Sequence, residues 1–203
     1  MKKKVIITGG LGYIGTELCK LYSGVSWHHQ IIVIDNRFIS ERVNQLRNWN
    51  INFIQGDILD KDFINKYLKD AHVVHHLAGI ADVPRTKSES LDVKDKKINE
   101  VGEKGTQNIL DAISDECKII FPSTHVVYEG IDSVKTDIKE NEATKPVLSY
   151  SSSKAFNEDQ LKKSGKNYII LRLGSVYGYS TDSMRIDIMP KLFSKISSQN
   201  GTL

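Results

Sequence analysis

The pair with the most chemical content is Tyr150 and Lys154, a phenol and an ammonium four residues apart in Tyr150-Ser151-Ser152-Ser153-Lys154. On a helix beginning near Ser149, that spacing sets both on one face. A cation held beside a phenol lowers its pKa toward the working range, and Tyr150 then becomes a base. Alone, such a pair usually lies on a surface. It gains weight only if the chain also binds something for the base to act with.

The chain offers that at its start. Thr8-Gly9-Gly10-Leu11-Gly12-Tyr13-Ile14-Gly15 follows a short apolar run and precedes a helical stretch, so its glycines stand between a strand and a helix. A dinucleotide needs this arrangement: a tight turn, backbone without Cβ where the pyrophosphate approaches, and N–H groups at a helix N-terminus facing the anion. Asp35 ends the second apolar run twenty residues after Gly15, where a carboxylate reaches both hydroxyls of the adenosine ribose. It favours NAD over NADP, because a 2′-phosphate would meet like charge. Arg37 reads as a solvated loop cation. Asp57, after the third run, is either an acceptor for the adenine amino group or a turn residue.

These residues need a scaffold. Strands are expected at Val5–Thr8, Ile31–Asp35, Asn52–Ile54, His72–Leu77, Lys118–Pro122 and Tyr168–Leu173. A helical stripe runs through Ile98, Val101, Gly105, Ile109, Ala112 and Ile113. Strand–helix alternation predicts an α/β fold, a Rossmann-type doubly wound parallel sheet with helices on both faces. Two long polar loops, Asp82–Lys97 and Glu129–Pro146, follow strands and stand where such folds place their sites. A last apolar pattern, Met184–Ser198, contains Pro190. His75, His76, Trp27 and Trp49 read as structural residues.

Composition bounds the rest. The 203 residues are 39% hydrophobic and 26% charged, with mean hydropathy −0.33, a balance that excludes disordered, collagenous and membrane-bundle classes. The formal charge of +3 is spread along the chain beyond Lys2-Lys3-Lys4, so no nucleic-acid partner is expected. No segment approaches the ~20 apolar residues of a membrane span, and the opening apolar run is too short for a signal peptide. Cys19 and Cys117 have neither disulfide-framework nor metal spacing. No metal site is expected, and a cytoplasmic setting fits.

Taken together, the motifs resemble the extended short-chain dehydrogenase/reductase superfamily, in its branch of NAD-dependent epimerases and dehydratases acting on nucleotide sugars. The marks are the glycine loop, Asp35, Gly56-Asp57, His76-Leu77-Ala78-Gly79, Gly105-Thr106 with Asn108, Ser123-Thr124, Tyr128, Pro146, Tyr150 with Lys154, Glu158, and Arg172 before Val176-Tyr177-Gly178. The resemblance implies a catalytic set of Thr124, Tyr150 and Lys154. It also implies an NAD site formed by Gly9, Gly12, Tyr13, Ile14, Asp35, Asn36, Asp57, Ile58, Leu77, Ala78, Gly79, Tyr150 and Lys154. In the implied mechanism Tyr150 takes a sugar hydroxyl proton as hydride passes to NAD, Thr124 bonds the same oxygen, and Lys154 binds the nicotinamide ribose. A UDP-sugar is the implied substrate.

Family dehydratases and the related decarboxylases carry an acid two residues after the threonine, where this chain has Val126. A 4-epimerase, which needs no further acid, fits best; the alternatives are a dehydratase, a keto-sugar reductase using His125, or a non-catalytic NAD-binding fragment. Gly102 stands where the family usually has Asn, and Ser175 and Tyr179 depart from its usual substrate-side residues. The expected division is an NAD-binding domain over 1–178 and the start of a substrate-binding region over 179–203, its C-terminal domain mostly absent. A homodimer pairing the helices of Ile98–Ser114 and Tyr150 is also implied, with Gly102 and Gly105 permitting close packing.

Overall fold

A computed structural model of the chain describes residues 2–81, 92–180 and 189–199. The elements alternate as β1 (Lys3–Thr8), α1 (Tyr13–Ser23), β2 (His29–Asp35), α2 (Ser40–Asn48), β3 (Asn52–Gln55), α3 (Lys61–Leu68), β4 (Val73–His76), α4 (Asp92–Ala112), β5 (Lys118–Thr124), α5 (Ser149–Lys163), β6 (Asn167–Leu173) and α6 (Met189–Ser198). A 3-10 turn, His125–Tyr128, follows β5. The six strands form one sheet in the order β3-β2-β1-β4-β5-β6, every pairing parallel. This is the doubly wound order, whose chain reversal beside β1 opens a crevice at the strands' C-terminal ends.

Strand alternation builds a core on each face. Ile6, Ile32, Ile34, Val74, Ile119 and Phe121 point to one side, where Ile64 and Leu68 of α3, Ile109 of α4 and Leu161 of α5 meet them. Val5, Ile7, Ile31 and Val33 point to the other, toward Cys19 of α1 and Val43 and Leu46 of α2. With both faces covered, the central strands need unbroken β-branched runs, and those runs made them readable.

All six strands lie where the apolar runs place them, within two residues at each end. One expectation changes. Asp82–Lys97 is not all loop, because α4 begins at Asp92; Val93, Lys96 and Lys97 are exposed, and apolar periodicity marks only the buried length of a helix. Residues 82–91 lie outside the described residues. The apolar pattern around Pro190 is helical over its described length, Met189–Ser198; residues 184–188 are outside the described residues.

Gly102 and Gly105 serve packing within the chain. A Cβ on Gly102 would stand 2.2 Å from Ser153 Oγ of α5, and one on Gly105 would stand 2.3 Å from Ile58 Cδ1. Asn157 Nδ2 also donates to the Gly102 carbonyl at 3.0 Å. Glycine at 102 thus lets α4 lie close against the helix that carries Tyr150. Among the described residues no helix is long and apolar enough to cross a membrane, and no group of three metal-ligating side chains occurs. Cys19 and Cys117 are free and buried, and burial pushes the Cys19 thiol up to about 12.

Candidate active site

The glycine loop joins β1 to α1 at the sheet's C-terminal edge. Gly9 has φ +69°, and a Cβ there would lie 2.7 Å from the backbone nitrogen of Ala78. Only glycine lets the loops after β1 and β4 cross so closely. A Cβ on Gly15 would stand 2.5 Å from the Gly9 carbonyl, so the start of α1 presses onto the loop. Gly12 is the N-cap of α1; it offers no side-chain cap, and the first turn carries no acidic residue. The positive end of α1 is thus left for an anion.

A buried polar chain supports this loop. Thr8 Oγ1 accepts from Ala78 N at 3.2 Å and meets His76 Nδ1 at 3.0 Å. His76 Nε2 meets Thr106 Oγ1 of α4 at 3.0 Å. Burial, reinforced by the nearby Lys154 charge, lowers the His76 pKa to about 3, so the ring is neutral and ties β1, β4 and α4 together. The loop after β4 carries Leu77, whose N–H donates to the Thr8 carbonyl at 3.1 Å, then Ala78 and Gly79. The structural reading of His76 agrees with this geometry.

Asp35 ends β2 beside the glycine loop and is 5% exposed. Its Oδ2 accepts from Leu11 N at 3.1 Å, which fixes the loop against the strand. Its Oδ1 accepts from the backbone N–H and Nε of Arg37. Arg37 is therefore an ion-pair partner of Asp35 and not merely a solvated cation, although its side chain is 57% exposed. Asp57 is engaged as a turn residue, accepting from Leu59 N at 2.9 Å, and its other oxygen accepts from Asn36 Nδ2 at 3.2 Å. Ile58 turns its side chain into the core, and its carbonyl accepts from Asn108 Nδ2 at 3.0 Å.

Helix α5, which carries Tyr150 and Lys154, packs against the end of β5. Lys154 Nζ donates to the Pro122 carbonyl at 2.8 Å and lies 4.4 Å from the Phe121 ring centre and 6.0 Å from that of Tyr150. Desolvation by burial lowers its pKa to about 8, which still leaves a cation at neutral pH. Thr124, 7% exposed, ends β5 and caps the following turn, its Oγ1 accepting from Val126 N at 3.3 Å. His125 is exposed, with Nδ1 3.2 Å from the Leu173 carbonyl. The structure thus gathers Lys154, Tyr150 and the end of β5 at the C-terminal edge of the sheet.

Two carboxylates hold this helix in place. Glu158, one turn beyond Lys154 and 1% exposed, accepts from Ser123 Oγ at 2.6 Å and from Nε and Nη2 of Arg172 at 2.9 and 2.6 Å. Those bonds offset its desolvation and hold its carboxyl below the usual range. They tie α5 to β5 and β6 beside Thr124. Glu129 Oε1 accepts from Val147 N at 2.9 Å, from Leu148 N at 2.8 Å and from Ser151 Oγ. It caps the start of α5 from the far end of the 129–148 loop. Sequence reasoning missed Glu129 because a cap some twenty residues away leaves no local pattern.

The comparisons with known proteins agree with this geometry. The model of the NAD dependent epimerase/dehydratase family matches residues 5–202. A UDP-N-acetyl-alpha-D-glucosaminuronate decarboxylase of Bacillus cytotoxicus is 34% identical over 130 residues, 63% of this chain and 38% of that protein. A CDP-paratose 2-epimerase of Salmonella typhi is 34% identical over 153 residues, 70% of this chain and 42% of that protein. Among solved structures, a variant of the Bacillus cereus UDP-glucuronic acid 4-epimerase, in complex with UDP-4-deoxy-4-fluoro-glucuronic acid and NAD, superposes with TM-score 0.80 at 26% identity, covering 98% of this chain and 64% of that one. The chain spans about two-fifths of the length of these two curated relatives.

Proposed function

We propose that this chain, which belongs to the NAD dependent epimerase/dehydratase family, acts on a nucleotide sugar as a 4-epimerase, with Tyr150 as the base. NAD is the cofactor of the family, and the residues present suit it. The uncapped start of α1 with Gly9, Gly12, Tyr13 and Ile14 would take the diphosphate. Asp35 and Asn36 would take the adenosine ribose, Asp57 and the Ile58 main chain the adenine side. Leu77, Ala78 and Gly79 would flank the middle of the dinucleotide, with Tyr150 and Lys154 at the nicotinamide ribose. When bound, NAD supplies the oxidising equivalent that turns a sugar alcohol into a ketone and back.

The observation that carries this reading is the Lys154 ammonium, anchored on the Pro122 carbonyl 6.0 Å from the Tyr150 ring centre. A cation held there favours the phenolate, so Tyr150 can take the sugar hydroxyl proton and later return it. Thr124 uses Oγ1 to accept from Val126 N and can donate its own proton to the reacting oxygen. Val126, in the turn after Thr124, carries no proton to deliver, which favours return of the same sugar skeleton over loss of a hydroxyl. A UDP-sugar is the proposed substrate, supported by the UDP-sugars named for the Bacillus cytotoxicus decarboxylase and the Bacillus cereus 4-epimerase. Exposed His125 favours, as the second reading, a keto-sugar reductase.

A homodimer through the outer faces of α4 and α5 is proposed with this function. Phe156, 45% exposed on α5, supports it.

Isothermal titration with NAD⁺, then with UDP-glucose and UDP-galactose, tests the binding reading, and interconversion of the two sugars tests the reaction. Tyr150→Phe should keep NAD⁺ binding and lose turnover by at least ~100-fold, the scale of general-base catalysis. Stoichiometric consumption of NADPH would establish the reductase instead. Binding of NAD⁺ without any sugar nucleotide would leave a cofactor-binding unit alone.

A further inference from the structure

Lys191, near the start of α6, is 9% exposed. Among the described residues its buried Nζ meets no hydrogen-bond acceptor. It stands 3.7 Å from the centre of the Tyr13 ring, and Tyr13 is the first residue of α1, directly after the N-cap Gly12. The ring is fixed from its other end, since its hydroxyl donates to the Gly178 carbonyl at 2.9 Å. Gly178 itself has φ +143°, a conformation that side chains rarely adopt.

This placement is electrostatically odd. An ammonium taken out of water needs an acceptor, and the quadrupole of one phenol ring replaces only part of its hydration. The ring it lies over belongs to the first residue of a helix with no acid in its first turn and no side-chain cap. An ammonium without an acceptor and an uncapped helix start, joined through the one residue Tyr13, suit an anion that both can reach.

We propose that Lys191 is a ligand-binding residue that brings its ammonium to the diphosphate of a nucleotide bound at the N-terminus of α1. This rests on the functional reading above, in which the start of α1 receives a dinucleotide. The chemistry is a diphosphate, which NAD⁺ and a sugar nucleotide both carry. Tyr13 is the platform that positions the cation, and α6 becomes part of the nucleotide site.

Lys191→Met removes the charge and keeps most of the stem, whereas Lys191→Arg keeps the charge. The test measures Kd for NAD⁺ and for UDP-glucose by titration calorimetry, and the melting temperature of each protein without ligand. The expected result is a loss of about tenfold or more in affinity for one of the two nucleotides in Lys191→Met. Lys191→Arg should stay within about threefold, and the ligand-free melting temperature of Lys191→Met should be unchanged or higher, because an unpaired buried charge has been removed. Weakening confined to NAD⁺ assigns the contact to the dinucleotide; weakening confined to UDP-glucose assigns it to the sugar nucleotide. Affinities within about twofold of wild type for both nucleotides, or a lower ligand-free melting temperature with no selective loss of either nucleotide, would overturn the proposal and leave Lys191 a packing residue on Tyr13. If the unsubstituted protein binds neither nucleotide, the functional reading fails, and Lys191 with it.

Discussion

Tyr150 and Lys154 were legible because a four-residue spacing on one helix face is a local property of the sequence. What Lys154 touches was not, since Pro122 and Phe121 come from a strand thirty-odd residues earlier. The two adjacent histidines show the same division. His75 is 8% and His76 1% exposed, and burial lowers their pKa values from 6.5 to about 4 and about 3. Both stay neutral in the folded protein at pH values where the unfolded chain takes up protons. Below pH 6.5 the unfolded state therefore binds more protons, and stability falls as pH falls, by up to about 1.4 kcal/mol per pH unit for each histidine. Urea unfolding at pH 7 and at pH 5 should show this loss, and His75→Phe should remove one proton from the slope; a flat profile from 7 to 5 would contradict the buried neutral rings. Lys154 acts in the opposite range. Its pKa is lowered from 10.5 to about 8, so stability rises as pH passes from 8 toward 10.5, while the cation beside Tyr150 is withdrawn.

Among the elements, α4 and α5 illustrate how far a pattern reaches. The buried face of α4 was readable from Ile98 and Ile109, and the start of α5 from the helix expected near Ser149. The start of α4 was not readable, because its first turns are polar and carry no apolar stripe. Gly102 departs from the family pattern, and its reason lies on the other helix. A Cβ there would meet Ser153 Oγ at 2.2 Å but Ser153 Cβ at 3.6 Å, an ordinary contact. Gly102→Ala should therefore destabilise the protein by about 1–3 kcal/mol, the usual cost of overpacking. Adding Ser153→Ala should recover most of that loss, since only the hydroxyl is in the way. Chemical denaturation of the two single variants and the double variant measures the coupling, and additive losses would mean that the contact is relieved by movement of the helices. The cap of α5 by Glu129 was invisible for a related reason: the loop that brings the carboxylate back has no periodicity to read.

At the scale of the whole molecule, the doubly wound sheet was foreseeable because both of its central faces are covered, and residues with two buried faces must be apolar in unbroken runs. The covering is uneven. Ile169 and Leu171 of the edge strand β6 are 39% and 43% exposed, while Ile170 between them packs on the core. A partner helix face is likewise open at Phe156 of α5. In the proposed homodimer Phe156→Glu should raise the dimer dissociation constant by about tenfold or more, as for loss of a buried aromatic anchor. Sedimentation of the wild-type and substituted proteins across a concentration series checks this; a wild-type monomer at all concentrations would remove the proposal.

Periodicity and spacings of a few residues already place the alternation of strands and helices, the glycine loop, Asp35 and the Tyr150–Lys154 pair on α5. The folded chain alone reveals that Arg37 pairs with Asp35, that Ile58 points into the core, that Glu158 and Glu129 fasten α5, and that Lys191 lies over the Tyr13 ring at the start of α1. Those contacts depend on which distant segments the sheet brings side by side. Local spacing carries no information about a neighbour that arrives from another part of the chain.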